Sequence, residues 1–148
     1  MGAGLKRAFA AAKATRQPIP KPAKGSGRLE RQARRSAEYQ AMADAYEVVN
    51  VRDGNQCRVT GRFVHAGAVD ARTRREHHHL VPRSLAPDRV ADPDNIILVC
   101  AEAHDLITGR FIEVEGTDAT KPLFCHWNED AMKGRTKPFR IIGKRTAA

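Results

Sequence analysis

Three adjacent histidines, His77-His78-His79, are followed by Asn95 and then by His104. Imidazole is the commonest transition-metal ligand and the side chain best matched to proton transfer near neutral pH. Two histidines on a strand and a third on a short helix can close on one divalent ion. The loop between them brings Asn95 near enough to orient an imidazole. Successive strand residues face opposite sides, so residue types alone leave open whether His77 or His78 accompanies His79. A lone His65 or His126 reads as an ordinary surface or strand residue.

The elements that must hold these side chains follow from periodicity and turn signals. Residues 1–27 are rich in Ala, Lys, Gly and Pro, with Pro18, Pro20 and Pro22 alternating, which predicts a flexible, basic, extended arm. Over residues 28–51 an apolar stripe of Leu29, Ala33, Tyr39, Met42, Ala43, Tyr46 and Val49 predicts a helix, with Ser26 as its cap and Asp53-Gly54 as its stop. Short strands are expected at residues 57–59, 63–64 and 80–81, the last stopped by Pro82. A turn-rich stretch covers residues 67–73 and a loop residues 87–94. Residues 96–99 form a short apolar run. Residues 101–107 read as a helix closed by Gly109 and carrying His104. Residues 111–115 and 123–127 alternate as partner strands around a turn, with Phe124 and Trp127 expected in the core. A last strand is expected at residues 139–142.

With those elements in place, His78-His79-Leu80-Val81-Pro82, then Asn95-Ile96-x-x-x-Cys100, then His104-Asp105-Leu106-Ile107 resembles the HNH nuclease family. Upstream, Val51-Arg52-Asp53-Gly54-x-x-Cys57-Arg58-x-x-Gly61 is similar to that family's lead-in, and together these pieces span about residues 48–116. The resemblance implies a ββα-metal (His-Me finger) core over about residues 55–110. It implies His78 and His104 as metal ligands, His79 as general base, and Asn95 as the residue that fixes the base through its loop. The implied reaction is hydrolysis of a DNA phosphodiester, with water deprotonated by His79 and one divalent cation stabilising the phosphorane, leaving 5′-phosphate and 3′-hydroxyl ends. Mg, Mn, Ni or Zn would each serve, nitrogen ligands favouring the softer ions.

Two departures from the family pattern carry consequences. Paired Cys-x-x-Cys knuckles are reduced to Cys57-x-x-Thr60 and Cys100-x-x-Ala103, so no structural zinc is expected, and Cys57 and Cys100 are expected to pack as small buried hydrophobes. The place four residues after His104, where relatives often carry another histidine, is Thr108.

Charge and composition bound the partners. The formal net charge of the 148-residue chain is +9; residues 1–35 hold ten Lys/Arg against Glu30 alone, whereas the remainder is balanced at sixteen of each sign. Such a block attracts polyphosphate irrespective of base sequence. Arg74, Arg75, Arg83 and Arg110 flank the proposed centre and are candidates to grip DNA phosphates, or else to pair with Asp88, Asp92 or Asp94. No apolar run is long enough to span a membrane and no secretory signal is evident, while three dispersed cysteines fit a reducing, cytoplasmic setting. The expected fold is α+β: an N-terminal helix packed on the ββα-metal core of a nuclease domain over residues 28–148, extended by a C-terminal antiparallel hairpin. The expected partner is double-stranded DNA, with room for a homodimer or a larger assembly. A catalytically weak HNH-fold protein that binds nucleic acid or serves a packaging machine is the alternative.

Overall fold

The structure, a computed structural model, describes residues 26–142. Nearly all of the expected basic arm lies outside them, as does the side chain of Ser26. The described residues divide into two units, one ending at Arg35 and the other starting at Ser36.

Helix α1 (Ser26–Arg52) contains no proline and is rich in Ala, Glu, Gln and Arg, so its helical state follows from intrinsic propensity. Its burial does not follow the predicted stripe. Residues 28–41 are all exposed, Leu29 at 69% and Tyr39 at 72%, and burial begins with Ala45, Val49 and Asn50. An apolar period inside good helix formers therefore overstates how much of this helix packs.

In the second unit, β1 (Arg75–His79) and β2 (Ile96–Cys100) pair antiparallel, with His78 opposite Ile97 and His79 opposite Ile96. All five residues of β2 are fully buried, as an unbroken apolar strand covered on both faces should be. The strand on which the histidines lie differs from the expected one. It is the histidine run itself, and it stops before Leu80-Val81. The cause is Asn95: its carbonyl accepts from the Leu80 amide at 2.8 Å, and its side-chain Oδ1 accepts from the Val81 amide at 2.8 Å, closing the ladder.

The strands expected at residues 57–59 and 63–64 are absent among the described residues, replaced by a tight turn. Cys57 donates to Arg62, Gly61 donates to Cys57, and Gly61 sits at φ 73°, leaving single bridges at Gln56–Phe63 and His65–Arg74. Residues 139–142 likewise form no strand; Ile142 makes one bond, to the Val59 carbonyl.

The loop before β2 contains two 3-10 turns, Pro87–Arg89 and Pro93–Asn95. Helix α2 (Ala101–Thr108) follows β2 directly and stops at Gly109, where a Cβ would lie 2.9 Å from the Phe111 ring. Strands β3 (Ile112–Glu115) and β4 (Phe124–Trp127) form the expected antiparallel hairpin, with Val114 opposite Cys125. Trp127 is buried and Phe124 half-buried.

The described chain is thus α+β, with two helices and two small antiparallel sheets. No described helix is long and apolar enough to cross a membrane. The core gathers Val49, Cys57, Val59, Val64, all of β2, Ile112, Trp127 and Ile141. Asp53 ties the end of α1 to that core: its carboxylate accepts from Arg52, Arg58 and the Leu98 amide, while Arg52 also donates to the carbonyls of Pro93 and Ile96.

Candidate active site

Strand β1 carries three half-buried imidazoles, its backbone held by pairing with the buried apolar strand β2. His78 turns toward α2, where its ring meets that of His104 edge-on, with centroids 5.4 Å apart and planes at 70°. The start of α2 is fixed to the region before β1 by two backbone bonds, Ala101 to Arg74 and Glu102 to Ala71, both 3.0 Å. His104, one turn into the helix, is thereby set against His78. Burial, reinforced by His104 and His79, holds the His78 imidazole at a pKa of about 4. It is neutral at pH 7, as a ligand nitrogen must be.

His79 ends the strand. Its Nε2–H donates to the Val90 carbonyl at 2.9 Å, which fixes the tautomer and leaves Nδ1 with a lone pair. Burial lowers its pKa, the Val90 bond opposing and Arg83 assisting. Arg83 Nε approaches Nδ1 at 3.5 Å, and the same guanidinium donates to the Tyr46 hydroxyl at 3.1 Å.

Asn95 is fully buried, and among the described residues its side chain makes no hydrogen bond to an imidazole. Its Nδ2 donates to the carbonyls of Val81 and Arg89, both at 3.1 Å, while Oδ1 accepts from Val81. These three bonds span the loop between β1 and β2 and end next to Val90, the residue that orients His79. Its link to the imidazole therefore runs through the loop.

His77 points to α1. Its ring lies flat on Tyr46, with centroids 3.9 Å apart and planes within 4°, and Nε2 donates to the buried Asn50 side chain at 3.0 Å. Burial, with Arg75 adding to it, lowers its pKa to about 4. The sequence pattern places Tyr46 in an apolar packing stripe and does not single out Asn50. The available signal was Asn50 itself, a polar residue four positions from Tyr46 on the side of the helix that packs.

Tyr46, Glu76, His77, His78, His79, Pro82, Arg83, His104 and Thr108 together line an open cleft of about 480 Å³. Of the four arginines expected at DNA, only Arg83 lines it. Arg74 is exposed and lies 3.5 Å from Glu76, Arg75 opens β1 with its Nε buried and unbonded, and Arg110 is exposed in a left-handed conformation at φ 60°. Among the described residues none of the four pairs with Asp88, Asp92 or Asp94; Asp92 pairs with Arg89 instead. His126 is not solitary as expected, since it lies 3.2 Å from Glu113 and 3.7 Å from Glu115 on the hairpin.

The sequence-distant cysteine pairs also meet. Cys57 and Cys100 are fully buried, and Thr60 touches both, through its amide to Cys57 Sγ at 3.4 Å and its hydroxyl to Cys100 Sγ at 4.0 Å.

Among the described residues no group of three or more His, Cys, Asp or Glu side chains is arranged to hold a cation. The His78–His104 pair fits a divalent ion as a two-point site. Neither ring is engaged in a hydrogen bond within the described chain, and both border the same open cleft. No protein-family model, curated protein or solved structure matches the chain.

Proposed function

We propose that this chain is a metal-dependent HNH-type endonuclease that hydrolyses DNA phosphodiester bonds, and that β1, β2 and α2 constitute its ββα-metal core. The observation that carries the reading is the meeting of His78 and His104 in a cleft where His79 has Nε2 committed to the Val90 carbonyl and Nδ1, among the described residues, facing only the Arg83 guanidinium, at 3.5 Å. In this reading His79 Nδ1 accepts a proton from the attacking water, and the Val90 carbonyl stabilises the imidazolium that results. Arg83 leaves Nδ1 for an entering phosphate, since a guanidinium binds an anion more strongly than a neutral imidazole. Asn95 keeps the loop, and with it Val90, in register. His78 and His104 would hold a divalent cation, which when bound stabilises charge on the phosphoryl oxygens.

Thr108 favours a second reading. It lines the cleft where a further ligand would strengthen the ion site, and its hydroxyl is a weak substitute. A protein of the same fold that binds DNA with little or no cleavage would show this feature.

One assay separates the two. Supercoiled plasmid incubated with Mg, Mn, Ni or Zn should be nicked or linearised by the wild type, and left intact with EDTA or by His79→Ala. Cleavage that survives EDTA, or that His79→Ala retains, overturns the nuclease mechanism. Binding without cleavage under all four metals selects the second reading.

A further inference from the structure

The first turns of α1 present charge that the cleft does not use. Arg28, Arg31, Gln32 and Arg35 stand at i, i+3, i+4 and i+7, which places them on one helix face, and they border an open hollow of about 370 Å³. All four are exposed, and among the described residues none of the arginines has a carboxylate partner. Glu30, the only acid in residues 1–35, falls roughly 200° around the helix from Arg28 at ~100° per residue. Like charges at this spacing destabilise a helix. The face therefore carries a standing repulsion that a bound polyanion would relieve, and packing gives no reason for it, since residues 28–35 bury nothing.

We propose that this face is a second DNA-docking site, in which Arg28, Arg31 and Arg35 grip the phosphate backbone of a duplex and the Gln32 amide donates to it. Guanidinium groups suit the task because each offers paired donors to a phosphate. The three arginines span about 10 Å along the helix axis. A duplex presents one phosphate charge per ~1.7 Å of its own axis, so partners are available across that span. Nothing on the face reads base edges, so binding is independent of sequence. The choice of DNA over another polyanion rests on the nuclease reading; the existence of an anion-binding face does not.

Fluorescence anisotropy of a labelled duplex with the full chain, in EDTA and at 50–200 mM salt, tests the site. Arg31→Gln should weaken binding about eightfold at 0.1 M salt, and the triple Arg28→Gln, Arg31→Gln, Arg35→Gln variant should flatten the log K versus log salt slope by about 2.7, at ~0.9 per lost phosphate contact. Arg34→Gln removes the same charge from about 100° off the face and should change affinity less than twofold. Glutamine keeps good helix propensity, and far-UV circular dichroism should be unchanged.

A wild-type slope in the triple variant, equal losses in Arg34→Gln and Arg31→Gln, or no duplex binding by the wild type would each overturn the site. So would poly-glutamate binding that the triple variant loses while duplex binding persists, which would assign the face to an acidic protein. Plasmid cleavage at low salt is read in parallel. Its absence from the wild type counts against the nuclease reading, while the binding slopes still judge this face.

Discussion

Asn95 offers the sharpest test of how the site is held, because its side chain is fully buried and all its work is done through three hydrogen bonds. Asn95→Ala strips partners from the Val81 amide, the Val81 carbonyl and the Arg89 carbonyl. At ~1 kcal/mol net for each bond, the loss is about 3 kcal/mol, a sizeable share of the ~5–15 kcal/mol of a small domain. Asn95→Asp keeps the shape but replaces the donating amide by an oxygen that faces those two carbonyls.

An ionised carboxylate there is buried with one donor and two repelling acceptors, which should raise its pKa by about two to three units. At ~1.4 kcal/mol per unit, this makes the aspartate substitution about 2–3 kcal/mol worse at pH 8 than at pH 4.5, where the folded carboxyl is neutral and the unfolded one has begun to ionise. The sign follows from the proton count. Between the unfolded and the raised folded pKa the native state binds more protons, so the variant loses stability relative to wild type as pH rises. Urea unfolding of wild type, Asn95→Ala and Asn95→Asp at pH 4.5 and 8 measures both effects. A destabilisation below ~1 kcal/mol for either variant, or one for Asn95→Asp that does not grow with pH, would refute the assigned bonds.

Asp53→Asn leaves Arg52 and Arg58 facing a neutral group beside the Leu98 amide and should cost about 3 kcal/mol, read by urea unfolding; a loss under 1 kcal/mol would reduce that network to a surface pair. Tyr46→Phe retains the ring stack on His77 but releases Arg83, so kcat/KM for duplex cleavage should fall about fivefold, mostly through KM, with unchanged stability. Equal kinetics would remove Tyr46 from the positioning of Arg83. Burial pushes the Cys125 thiol up to about 11, and Cys100, hydrogen-bonded to Cys57 and buried, also lies well above its ordinary value. At pH 8 these two thiols should react with Ellman's reagent roughly 100-fold more slowly in the native protein than after unfolding; fast native reaction would contradict their burial.

The histidines and Asn95 stand out in the sequence as candidates because chemistry restricts which side chains can bind cations or move protons. The strand that carries them does not. Arg75-Glu76-His77-His78-His79 has no apolar alternation, and it is extended only because β2, buried on both faces, offers it a hydrogen-bonding edge. Pairing of that kind is decided by a partner some twenty residues away, not by local preference. The opposite error affects α1. There the period was real, but propensity rather than burial makes the helix, so Leu29 and Tyr39 point into water.

What joins these two cases is the role of the end of α1. Only its last two turns pack, and they bring Tyr46 and Asn50 to β1 and Asp53 to β2. His77, which a strand-only view sets aside as facing away, is thereby drawn to the cleft wall, and Arg83 acquires a second anchor besides His79. In the nuclease reading, aligning His79 as general base thus depends on two contacts from opposite sides: Asn95 secures the loop that offers the Val90 carbonyl to Nε2, and Tyr46 holds the guanidinium that faces Nδ1. Loss of the first should distort the base itself, lowering kcat, whereas loss of the second should alter how phosphate is received, raising KM. A pair of variants that failed to divide in this way would mean that the two anchors act as one structural unit.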